Sequence, residues 1–134
     1  MMLAIIGLVL VITAGATSKP RRAQRLAAGT WGGHHIRIDV TGDSATVEYD
    51  CANGTIKGPL KFDRSGRFTW QGAHFREHGG PVRIDETPQG GPAIYSGSVK
   101  GDTMTLTVRL KDSNESLGEF TLKRGSAGRI FKCR

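Results

Sequence analysis

Thr103-Met104-Thr105-Leu106-Thr107-Val108-Arg109-Leu110 sets an apolar side chain at every second position and a polar one between. Successive side chains of an extended strand point to opposite faces, so this stretch reads as a strand with one buried and one wet face. The same period recurs along the chain. Ile36, Ile38 and Val40 alternate with Arg37 and Asp39, and Val47, Tyr49 and Cys51 with Glu48 and Asp50. Leu60 and Phe62 flank Lys61, Phe68 and Trp70 flank Thr69, and Tyr95, Gly97 and Val99 alternate with Ser96 and Ser98. Phe120 and Leu122 alternate with Glu119, Thr121 and Lys123, and Ile130 or Phe131 leads to Cys133. Turn residues separate the runs at Thr41-Gly42-Asp43, Ala52-Asn53-Gly54, Asp63 to Gly66, Gly101-Asp102, Asp112 to Glu115 and Arg124 to Ala127. Eight strands are predicted, at about 34–40, 44–51, 55–62, 67–75, 93–100, 103–111, 116–123 and 128–133. An even-numbered antiparallel meander removes its exposed edges by closing on itself, so the expected fold is all-β, an eight-stranded up-and-down barrel. A two-sheet β-sandwich is the alternative.

The first 16 residues carry no charged side chain, and Ala14-Gly15-Ala16 supplies the small-x-small pattern of a cleavage site. They read as an export signal, 1–16. An N-terminal membrane anchor is the alternative, although the apolar run is shorter than the roughly 20 residues of a spanning helix. Residues 17–28 read as a basic flexible arm and 29–134 as a single barrel domain. In an exported chain the two cysteines, Cys51 and Cys133, are expected to pair. The location implied is extracytoplasmic, periplasmic or secreted. With eight strands, strand 2 and strand 8 finish at the same end of the barrel, so both sulfurs are expected at one rim, with the C-terminal tail stepping beneath strand 1. The same rim receives the long connection from Arg76 to Pro92, both termini, His34 and His74.

The net charge of +7 is uneven. Lys19, Arg21, Arg22 and Arg25 lie near the start, and Lys123, Arg124, Arg129, Lys132 and Arg134 near the end, while all 12 acidic residues lie between. Basic termini suit attraction to an anionic surface. Nucleic acid is not an expected partner, since the chain has no recognition motif and few aromatics.

The predicted rim offers His34, His74, Arg76, Glu77, His78 and Arg83 as binding residues. A metal set of His34, His74, His78 and Glu77 lacks the tight spacing of zinc sites, so no metal is expected. There is no Gly-x-Ser-x-Gly elbow, no thiol left after pairing and no phosphate-binding glycine loop, so neither a catalytic residue nor a cofactor is assigned. The glycines Gly72 and Gly97, if inward, leave room inside a barrel otherwise filled by Tyr49, Phe62, Phe68, Trp70, Tyr95, Met104, Leu106, Phe120 and Leu122.

Gly29-Thr30-Trp31, just before the first predicted strand, resembles the opening of the calycin barrels, the lipocalins and avidins. That resemblance implies that Trp31 closes one barrel end under a basic residue of the last strand, Arg124 or Arg129. With only Trp31 and Trp70, the chain lacks the several tryptophans of a biotin site. Tyr49-Asp50-Cys51 followed by Gly54 resembles the start of periplasmic C-type lysozyme inhibitors. The run from Gly29 through Arg83 is similar to small exported bacterial proteins of no assigned function. The expected function is therefore binding without catalysis, of a small ligand or a protein partner, at one rim of a monomeric barrel. A periplasmic hydrolase inhibitor and an envelope protein drawn to anionic surfaces are the alternatives.

Overall fold

The computed structural model describes Gly15 and residues 24–87 and 89–133. Gly15 apart, the expected signal at 1–16 lies outside the described residues, as do Lys19, Arg21 and Arg22 of the arm. Ten strands form among the described residues: β1 (Gln24–Arg25), β2 (Gly29–Gly33), β3 (Ile36–Thr41), β4 (Ser44–Tyr49), β5 (Ala52–Lys57), β6 (Lys61–Phe62), β7 (Arg67–Arg76), β8 (Gln89–Lys100), β9 (Thr103–Leu110) and β10 (Ser116–Arg124). All but β1 and β6 form a closed barrel in the order β10-β2-β3-β4-β5-β7-β8-β9, every pairing antiparallel. The eight-stranded barrel is thus formed and the sandwich is not.

Its strands differ from the predicted eight at both ends of the chain. The first barrel strand is β2, with three glycines in five residues and so almost no side-chain period to read. The predicted last strand, 128–133, is a tail that makes one parallel bridge, His34 to Arg129. One strand gained and one lost preserve the count. The predicted strand 55–62 also divides. β5 ends at Lys57, and after Gly58-Pro59 the chain leaves the barrel so that β6 can pair with β1. The Ala52-Asn53-Gly54 turn is corrected as well: Asn53 and Gly54 lie within β5, and the chain reverses at Asp50-Cys51, with Cys51 at a φ of 53°. Finally, β8 starts at Gln89 rather than near Ala93, which shortens the long connection.

The seam explains the disulfide. β10 meets β2 through two residue pairs only, Lys123 with Gly32 and Arg124 with Trp31. After Arg124 the chain reverses and runs back along the outside of β2. Gly125 N donates to Thr30 O at 2.7 Å, Arg129 N to Gly33 O at 2.9 Å, and His35 N to Arg129 O at 2.7 Å. Gly32 faces outward under this tail, and a Cβ there would collide with the backbone of Ser126, Ala127 and Gly128. Cys133 then bonds Cys51 at a Cα separation of 4.9 Å. Both sulfurs lie at one end, as expected, but the tail reaches it over the outer face of β2 rather than beneath the strand.

The two ends of the barrel are unlike. One is plugged: β1 and β6 lie across it, Leu26 and Leu60 are buried, and Trp70 Nε1 donates to Lys61 O at 2.9 Å. Arg25 pairs there with Asp43 at 3.1 Å. The described part of the N-terminal arm therefore lies opposite the disulfide, at the end where Lys123 and Arg124 close β10, while the tail carries Arg129 and Lys132 toward the disulfide. The extra strand β2 inverts the direction from which the chain enters. Between the ends the lumen is filled by Ile36, Ile38, Val47, Ile56, Met104, Leu106, Val108 and Leu122, each burial removing apolar surface worth about 1.5–3 kcal/mol. Gly72 and Gly97 do face inward, yet a Cβ at either would strike the backbone of the neighbouring strand. They serve close strand approach rather than free space.

Candidate functional site

The unplugged end gathers the β2–β3, β4–β5, β7–β8 and β9–β10 connections and forms a mouth. β7 alternates Phe68, Trp70, Gly72 and His74 inward. His74 faces Gly54 of β5 and Gly91 of β8 across its two ladders, so neither neighbour competes for its space. It is 6% exposed, and its Nδ1 has no hydrogen-bond partner among the described residues. An unmet buried polar atom costs about 1–3 kcal/mol, which marks the position as one that packing alone does not account for. Burial, then the nearby Arg76 charge, lowers the pKa of His74, with Glu115 acting in the opposite sense. The imidazole is therefore neutral at pH 7, with one ring nitrogen donating and the other accepting.

Tyr49 packs edge-on to His74 at 4.8 Å between ring centroids, and Phe120 lies 5.8 Å from Tyr49. Beneath them a polar floor crosses the lumen. Tyr49 Oη donates to Tyr95 Oη at 3.2 Å, which donates to Ala73 O at 2.8 Å. A side chain at Gly54 would occupy the place of the Tyr95 hydroxyl. Burial raises both phenol pKa values, Tyr95 to about 12 and Tyr49 far above its usual range, so both stay protonated.

Two clefts open above this floor and share His74 and Arg76. One, of about 390 Å³, runs between Tyr49, Ala52, Leu117, Phe120 and the Asp50–Cys51 turn. The other, of about 310 Å³, is lined by Gln89 to Pro92, Leu110, Asp112, Ser113 and Glu115. Arg76 stands at the end of β7 with Glu115 at 3.4 Å, both side chains more than half exposed. Asp50 accepts Phe131 N at 2.7 Å and contacts His35 Nδ1. The Phe131 bond first, and His35 second, hold its carboxyl below the usual range.

The predicted rim residues separate into three places. His74 and Arg76 share the mouth. Glu77, His78 and Arg83 lie in the loop outside the barrel wall, where Glu77 and His78 border a cleft of about 600 Å³ also lined by Asn53, Phe75 and Val82. Glu77 is held there by Asn53 Nδ2 at 2.8 Å and Lys132 Nζ at 3.4 Å. His78 contacts Glu86, and its hydrogen bond to Gly79 O, then Glu86, raises its pKa. His34 is exposed in the β2–β3 turn, because β3 begins only at Ile36. Arg124 lies over Trp31, 5.1 Å from its ring centroid, and Arg129 contributes backbone bonds to the tail instead. Among the described residues no group of three or more His, Cys, Asp or Glu could hold a metal ion.

Tyr49, Tyr95, Asp50, His35, Leu117, Phe120 and Glu115 were absent from the predicted rim. Tyr49 and Phe120 were legible as inward by phase. Their meeting with His74 follows from barrel closure, which no local spacing encodes. No protein-family profile, curated protein or solved structure matches the chain.

Proposed function

We propose that the chain is an exported binding protein without catalytic activity, which takes a small ligand at the unplugged mouth of its barrel. The observation that carries this reading is His74, buried yet unpartnered where two clefts meet. A stability optimum would place an apolar residue there; a polar atom kept without a partner suits one supplied by a guest. The disulfide agrees with an oxidising, extracytoplasmic compartment. A calycin-like plan is supported by the Arg124–Trp31 contact away from the mouth and by the opposite end remaining open. A thermal-shift screen of small organic molecules against the full chain and His74→Phe tests the reading. Ligands that raise the Tm of the wild type and not of the variant are expected; if every stabilising compound acts equally on both, the mouth is not the site.

A second reading, a protein partner such as a hydrolase, is favoured by Val82 at 74% exposure, the fully exposed Ile84 and Phe131 at 60%, all near the same rim. Replacing 78–87 by a short Gly-Ser turn would abolish such a complex and leave ligand binding in the mouth intact. The anionic-surface alternative draws less support from the fold, because the described cations Arg25 and Arg124 at the plugged end are paired with Asp43 and Asp102.

A further inference from the structure

The mouth combines a replaceable ion pair, an apolar wall and a polar atom without a partner, and each restricts the guest. Arg76 lines both mouth clefts. Its pair with Glu115 at 3.4 Å is exposed and therefore loosely held. A guanidinium donates two parallel N–H bonds in one plane to a carboxylate, as it can to a phosphate, and a carboxylate on an apolar body is what the cleft's wall suits. The one acid among the described residues lining the larger mouth cleft, Asp50, is less available to a cation. Asp50 is engaged by Phe131 N and His35. An ammonium there would also face Arg76 directly. Tyr49, Ala52, Leu117 and Phe120 offer surface for a compact apolar body, and a neutral His74 has one N–H to give.

Resting on the reading of the mouth as a binding site, we propose that the guest is a small carboxylate with a compact aromatic or aliphatic body. Its carboxylate replaces Glu115 on Arg76 and accepts a hydrogen bond from His74, while the body lies against Tyr49, Leu117 and Phe120. Binding then makes a cationic imidazole more favourable. Besides the guest, the titratable groups around His74 are Arg76 on β7, Glu115 and Asp112 on the β9–β10 side, Tyr49 on β4, and Asp50 and His35 on the adjacent turns.

Three probes of one size separate the possibilities: 3-phenylpropionate, 3-phenylpropan-1-ol and 3-phenylpropylamine, titrated into the full chain at pH 7. Affinity is read from the NMR shifts of the His74, Tyr49, Leu117 and Phe120 side chains. The propionate is expected to bind about tenfold more tightly than the alcohol, as a charge-assisted bidentate contact requires. It should raise the pKa of His74, which the alcohol should leave unchanged. Arg76→Gln should bring the propionate to within about twofold of the alcohol measured on the same variant. Tightest binding by the amine, equal binding of acid and alcohol, or an acid preference that survives Arg76→Gln would overturn the carboxylate assignment while leaving the mouth as a site. If none of the three shifts these resonances, the reading of the mouth falls with it.

Discussion

Removing the disulfide by Cys51→Ala together with Cys133→Ala should cost about 4.5 kcal/mol of unfolding free energy. The cross-link closes a loop of 82 residues, and the chain-entropy relation at 25 °C gives that figure for a loop of this length. Unfolding entropy of about 2.1 cal/mol/K per residue, over a barrel of roughly 105 residues, converts it to a fall in Tm of roughly 20 °C. Urea unfolding followed by the fluorescence of the buried Trp31 and Trp70 measures the change, with chemically reduced wild type as control. The m-value should rise, because an unlinked denatured chain exposes more surface. The folded barrel should change little: the tail keeps its bonds from Gly125 N, Arg129 N and His35 N, so these amides should stay protected from exchange in the variant. A loss under about 1 kcal/mol, or unprotected amides at Arg129 and His35 under native conditions, would refute the chain-entropy reasoning.

Other perturbations test separate contacts. Gly32→Val drives a side chain into the backbone of Ser126 to Gly128 and should cost about 1–3 kcal/mol by overpacking, with new proteolysis of the tail; normal stability would mean the tail does not lie on β2. Tyr95→Phe deprives Ala73 O and Tyr49 Oη of a partner and should cost about 1–3 kcal/mol in urea; an unchanged midpoint would remove the polar floor from the account. Because the folded pKa of Tyr95 is raised from 10.0 to about 12, its contribution is complete below pH 10 and is lost as pH rises toward 12, which alkaline unfolding followed by tyrosinate absorbance would detect. For His74 the folded pKa is lowered from 6.5, so its contribution is complete above pH 6.5 and is lost as pH falls below that value. His74→Leu should therefore flatten the stability loss between pH 7 and 5; equal acid sensitivity in both proteins would contradict a buried neutral imidazole.

Strands whose side chains alternate were legible in the sequence, and Met104 to Leu110 is the clearest. β2 was not, because Gly29, Gly32 and Gly33 have no side chain to declare a face, and the tail imitated a strand through Ile130, Phe131 and Cys133. These two misreadings offset each other in the strand count, but the cysteines meet at one end because the tail, though not a strand, still runs back along β2 after β10. Within the site, His74 could be placed inward from its phase with Phe68 and Trp70. Its neighbours could not be foreseen from spacing, since Tyr49 and Phe120 reach it only once the sheet curls shut. His34 stays at the rim, but with β2 in the barrel residues 34 and 35 form an exposed turn rather than the start of a strand.

The most direct test of the mouth as the binding site is a map of side-chain NMR shifts on adding a cocktail of small organic fragments. The perturbations are predicted to cluster on His74, Tyr49, Leu117 and Phe120, with Phe62, Phe68 and Trp70 at the plugged end unmoved. A silent mouth, with changes confined to the plugged end or to Val82 and Ile84 of the loop, would contradict the account.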